Sequence, residues 1–232
     1  MRTVLREVRS FGTHAVPYCL REIKGARRIT VHVTHEGVVA TKPKWVSLRE
    51  VDRVLRECGE WIEKELRRRS LIVAATLQDR VLYLGVERPI RTASSLPVRY
   101  SEGEFWSPGD TPKERLKHVL EWMQRRARKE LRDCAARWAP QLDVAPKRIG
   151  VRDQVSRWGA CSDKASLSFN WRLIMAPPEV LEYIVVHELA HIREHNHSRR
   201  FWSLVERFCP GYERHEKWLD ENNDRIMAAG RG

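Results

Sequence analysis

His187 and His191 stand four residues apart, and His197 follows six residues later. Together they restrict the fold more tightly than anything else in the chain. Residues four apart on an α-helix lie one above the other on a single face, so His187 and His191 can share one metal ion if the segment around them is helical. Glu188, in the run His-Glu-Leu-Ala-His, sits one residue round that helix from the first ligand. There it can take a proton from a metal-activated water without ligating the ion. The pattern reads as a zinc hydrolase site. Such a motif with a further histidine at one set position arises by chance in about 0.1% of comparable chains, too rarely to favour histidines merely satisfied inside a helix. The surrounding run, with Leu181, Ile184, Val185 and Leu189, is hydrophobic. Ionisable groups placed there are costly unless paired or metal-bound.

The third ligand is selected by geometry. His195 is four beyond His191, but on a continuous helix it would lie about 12 Å along the axis from His187, with a bearing ~80° away. The chain must instead leave the helix after His191 and return. Asn196, tolerant of the left-handed conformation, is the expected point of reversal, bringing His197 back to the ion. A carboxylate from a later helix, Glu213 or Glu216, stays open as the alternative.

Upstream of this site the sequence predicts an α+β chain. Ile29, Val31 and Val33 alternate with polar residues and His35-Glu36-Gly37 marks a turn before Val38, a hairpin or meander over 16–43. Ser47-Leu48-Arg49-Glu50 is a capping box opening one helix along Leu48, Val51, Leu55, Cys58, Ile62 and Leu66 to the basic end at Arg67–Arg69. Strands are expected at 81–84, 87–91 and 98–100, so that 1–110 forms an N-terminal, mostly antiparallel, β-rich subdomain and 111–232 a separate metal-bearing domain. Thr111-Pro112-Lys113-Glu114 opens a second helix that ends by Pro140. Alternation from Leu167 through Phe169, Trp171 and Leu173 predicts a strand over 165–173 with a hairpin turn at Asp163-Lys164. Pro177-Pro178 starts the metal-bearing helix, and two amphipathic helices follow over 198–208 and 212–228.

The five cysteines, Cys19, Cys58, Cys134, Cys161 and Cys209, are scattered without a C-x-x-C pair, suggesting neither a disulfide framework nor a thiolate metal site. No signal-length or membrane-length apolar run is evident, so a cytoplasmic protein without membrane contact is expected. The net charge of +12 is uneven: residues 1–110 carry 20 basic against 14 acidic side chains, residues 111–150 carry 11 against 5, and residues 151–232 carry 12 against 12. The excess upstream, including Arg125, Arg126, Arg128, Lys129 and Arg132, is either a solvated helix face or a surface for nucleic acid.

Three separated segments occur in order: Arg157-Trp158-Gly159-Ala160-Cys161-Ser162, then Leu167–Leu173, then His187–Trp202. Together they resemble the YgjP-like zinc metallopeptidases, relatives of the SprT-type proteases, and the likeness extends upstream to the hairpin and the helix of Trp61. Metzincin proteases share the histidine spacing, but Glu194 occupies their glycine position and no Met-turn is evident. The resemblance implies a zincin-like domain with His187, His191 and His197 on zinc, Glu188 as general base and a peptide or protein substrate. It departs at Ala160, where serine is common. By analogy with related proteases, the strand over 165–173 would pair with an extended substrate, which Asn170 would touch. The alternative function is a nucleic-acid-associated protein of SprT type, its basic N-terminal half and linker helix on DNA and its zinc structural or directed at DNA-bound proteins.

Overall fold

β-Branched residues at 31, 33, 38 and 39 suit a pleated, half-buried surface, and in the computed structural model of the chain they lie in a four-stranded sheet. The structure describes residues 2–6, 18–23, 25–34, 37–76, 79–95, 97–155 and 157–230. The sheet comprises β1 (Arg2–Arg6), β2 (Tyr18–Glu22), β3 (Thr30–Thr34) and β4 (Gly37–Lys42), in the order β1-β2-β4-β3. β3 and β4 form the expected hairpin; its turn at His35-Glu36 lies outside the described residues. β2 and β4 run parallel, which a meander would not give. Ser47 accepts from the Glu50 amide and Glu50 from that of Ser47, closing the predicted capping box at the head of α1 (Leu48–Glu57). The expected single helix is two: α1 stops at Cys58 and α2 runs Gly59–Thr76. Glycine is a weak helix former and marks the break, yet Val51, Leu55 and Ile62 still bury with Tyr18, Leu20, Val38 and Ala40 in one core.

The compact units divide between residues 74 and 75, whereas the sequence suggested a boundary at 110/111. The strands β5 (Arg80–Tyr83), β6 (Val86–Thr92), β7 (Arg99–Ser101) and β8 (Glu104–Ser107) belong to the second unit because Val81, Tyr83, Ile90 and Phe105 share a core with the helix that follows. Their order, β5-β6-β8-β7, repeats that of the first sheet, with a parallel pair between two hairpins. α3 (Pro112–Trp138) opens on the Thr111/Glu114 capping box and buries Val119, Leu120, Met123, Ala127 and Leu131 on one stripe.

The third sheet comprises β9 (Arg148–Arg152), β10 (Gly159–Cys161) and β11 (Ser166–Asn170), ordered β10-β11-β9. The strand predicted over 165–173 stops at Asn170, and Trp171–Met175 form a 3-10 helix. The Asn170 side chain caps this turn by accepting from the Arg172 amide. Polar–apolar alternation misleads here because Arg172 is itself fully buried, its guanidinium donating to Asp153 and to the Ala229 carbonyl. α4 (Pro178–Ala190), α5 (Arg199–Phe208) and α6 (Glu213–Met227) complete the unit. No helix among the described residues is long and apolar enough to cross a membrane.

Arg172 is fully buried while Asp153 is half exposed, so water screens their charge interaction and the loss of Arg172 is felt mainly through its packing and its bonds to the Ala229 carbonyl. Arg172→Ala is therefore expected to lower the denaturant midpoint severely, and Asp153→Ala less so because Arg172 would keep the Ala229 carbonyl. Equal, small effects for both would show that this side chain does not hold the C-terminal segment.

Candidate metal centre

α4 is apolar on nearly every side: Val180, Leu181, Ile184, Val185, Val186, Leu189 and Ala190 are all buried. Its last turn carries His187 and Glu188, and His191 caps its C-terminus. The helix unwinds through short bonds from Ile192 to Leu189 and from Arg193 to Ala190. The reversal does not use a left-handed Asn196, which is absent from the positive-φ residues among those described. Instead the Ser198 amide donates to the Asn196 carbonyl at 2.8 Å, an i to i+2 bond that puts His197 at the centre of a γ-turn. Ser198 then caps α5 by accepting from the Phe201 amide. The projection of His197 is set by two short-range bonds.

His187, His191 and His197 converge, with one ring nitrogen from each lying within 4.8 Å of the others. The Nε2 atoms of His187 and His197 are 3.2 Å apart. Ligand nitrogens about 2.0–2.1 Å from a tetrahedral ion are separated by about 3.3–3.4 Å, so the spacing fits a metal such as zinc. The tautomers fit as well. His191 Nδ1 lies 3.1 Å from the Glu194 carbonyl, which must accept its proton, leaving Nε2 with a lone pair. Burial, then the neighbouring imidazoles, push His187 down to about 3; burial also lowers His191, against the Glu194 carbonyl. Both rings are kept neutral, the state a ligand requires.

Glu188 is buried, and burial pushes its carboxyl up to about 7, with Arg157 acting in the opposite sense. Gly159 on β10 makes room for it. A Cβ at that position would lie 2.5 Å from Glu188 Oε1 and 2.6 Å from its Cγ, far inside van der Waals contact. Glycine at 159 therefore lets the strand pass directly over the carboxylate.

Two expectations are corrected. β11 cannot pair with a substrate because β10 and β9 occupy both of its edges. Asn170 is fully buried, its amide donating to the carbonyls of Gln154 and Arg157 and its oxygen accepting from Arg172. It holds the loop before β10 and presents nothing to a substrate. Glu213 and Glu216 lie outside the histidine cluster; the Glu216 carboxylate accepts from the Tyr183 hydroxyl instead. Sequence reasoning missed Phe201, whose fully buried ring touches all three histidines, with centroids 4.9, 4.4 and 4.8 Å from those of His187, His191 and His197. Trp202 flanks His187 and His197. The position of Phe201, in the first turn after the capping serine, was the available signal.

Residues 27–222 match the family described as YgjP-like, metallopeptidase domain. The chain belongs to the YgjP-like metallopeptidase family. No curated protein and no solved structure matches it. The histidine cluster of this YgjP-like domain lies inside the matched span, and membership implies a metal cofactor.

The raised Glu188 carboxyl has a defined consequence for the metal-free protein. The folded state holds that proton more tightly than the unfolded chain, so stability falls as pH rises from the ordinary carboxylate range through about 7. Glu188→Gln removes this loss. The stability gained by the metal-free variant over wild type is expected to grow between about pH 4 and about pH 8, by up to about 3 kcal/mol. The acid-side loss from His187 is common to both proteins and cancels. A difference independent of pH in chelator-treated samples would contradict the assignment.

Proposed function

We propose that this chain is a zinc-dependent metallopeptidase that hydrolyses peptide bonds, with His187, His191 and His197 as zinc ligands and Glu188 as general base. One observation carries the reading: three imidazoles converge, one ring nitrogen from each within 4.8 Å of the others, and the carboxyl that follows the first of them in sequence is buried. Zinc, when bound, acidifies a water and polarises the scissile carbonyl. Glu188 accepts the proton of the attacking water and returns it to the departing amine nitrogen.

β10 supplies the edge for the substrate in place of β11. Asn170 donates to the Trp158 carbonyl and Ser162 to that of Ser166, so the residues bonded to β11 are 158, 160 and 162. Antiparallel pairing alternates. The N–H and C=O groups of Gly159 and Cys161 therefore point away from β11, toward the side on which no described strand pairs and an extended peptide can add as a further strand. Gly159 places that edge against Glu188, which would align the scissile bond with the base.

A second reading, in which the basic surface binds nucleic acid, is favoured by Arg125, Arg128 and Arg132, exposed and spaced along one face of α3. Neighbouring Arg126, Lys129 and Arg137 are instead neutralised by Glu130, Asp133 and Glu182.

Glu188→Gln should retain zinc and lose peptide hydrolysis by at least about 100-fold. Full activity in that variant would end the reading. Gly159→Ala, which displaces the carboxylate without touching a ligand, is expected to keep its zinc and lose about 100-fold in kcat/KM. Wild-type turnover in the alanine variant would show that Glu188 tolerates displacement and is not positioned by β10.

A further inference from the structure

Tyr183 lies one helical turn before His187 on the same face of α4. Its ring is buried and near-parallel to those of Tyr212 and His215, with centroids 6.0 and 5.9 Å away. Those two residues and Glu216 occupy a single turn at the start of α6, and the Tyr183 hydroxyl donates to Glu216 Oε1 at 2.9 Å. The same hydroxyl oxygen lies 3.4 Å from His187 Nδ1, on the far side of the ring from the Nε2 that faces His197. A tyrosine hydroxyl has one proton to give, and an ionised carboxylate can only accept. With that proton directed to Glu216, the oxygen is left as an acceptor, and the group it can accept from is the His187 Nδ1–H.

We infer that Tyr183 and Glu216 act in series as positioning residues for the metal centre, fixing His187 in the tautomer that presents Nε2 to the ion. This rests on the metallopeptidase reading of His187. Ligand imidazoles commonly donate their second N–H to a carboxylate or carbonyl, which sets ring orientation and raises basicity. His191 has the direct form of this arrangement, through the Glu194 carbonyl. His187 has a relayed one, in which the negative charge comes from a different helix. Glu216 is thereby assigned a role its place in the sequence does not show: it belongs to the centre without ligating it. The Tyr183 hydroxyl is thereby the polar link from Glu216 on α6 to the His187 ring.

The test is a double-mutant cycle on zinc affinity, read by competition with a chromophoric chelator and so independent of catalysis. Tyr183→Phe keeps the stacked ring and is expected to weaken zinc binding by about 10–100-fold. Glu216→Gln should weaken it by about 10-fold in the wild-type background and by less than about 2-fold once Tyr183 is phenylalanine, because its influence passes through the hydroxyl. Metal-free melting temperatures should change little in either variant. Zinc affinity unchanged in Tyr183→Phe would overturn the relay while leaving the metallopeptidase reading intact. So would a Glu216→Gln effect of equal size in both backgrounds, which would make Glu216 act on the ion directly. An affinity loss matched by a fall in metal-free stability would reduce Tyr183 to a packing residue and also overturn it. A wild-type protein that binds no zinc would sink both the relay and the reading it rests on.

Discussion

Imidazoles crowded within a few ångströms repel one another once protonated, so three histidines can share such a space only if they stay neutral and something apart from their own attraction holds them there. In this chain burial supplies the first condition for two of the three, lowering His187 and His191. The second is met by structure on every side. α4 is apolar nearly all round, which allows it to lie deep in the second unit. Phe201 fills the space between the rings, and a γ-turn followed by a capped helix brings His197 back after α4 has ended. The same burial that lowers His187 and His191 raises Glu188. One physical cause, withdrawal from water, thus acts on two of the candidate ligands and on the proposed base alike.

The sheet beside the site depends on the same constraint. A carboxyl buried against a strand needs space, and Gly159 provides it where any side chain would collide. β10 is thereby both the wall beside Glu188 and an outer strand of its sheet among the described residues. The buried polar residues around it, Asn170 and Arg172, hold the loop and the C-terminal segment in place through hydrogen bonds to backbone carbonyls. They serve the site from behind and do not face a substrate.

Much of this was legible because it is local. Capping boxes at Ser47 and Thr111, the proline pair before α4 and the histidine spacing each act within a few residues, and each element they announce is present. What escaped was set by distant partners. The parallel pairing of β2 with β4 and of β6 with β8 leaves no mark on either strand alone. Apolar alternation through Trp171 and Leu173 mimics a strand, because it cannot reveal that Arg172 is buried by pairing with Asp153 and the Ala229 carbonyl. Asn170 looked like a polar face for the same reason. Glu216, the alternative ligand, is near the centre in space, but only the position of Tyr183 shows that a hydroxyl intervenes.

In the proposed centre three imidazole nitrogens, and no thiolate or carboxylate of this chain, hold the ion. X-ray absorption at the zinc edge of the wild-type protein reads that shell. About three nitrogen scatterers are expected at about 2.0–2.1 Å with imidazole outer-shell features, and one light atom completing the shell. A sulfur shell near about 2.3 Å, or fewer than three imidazoles, would contradict it.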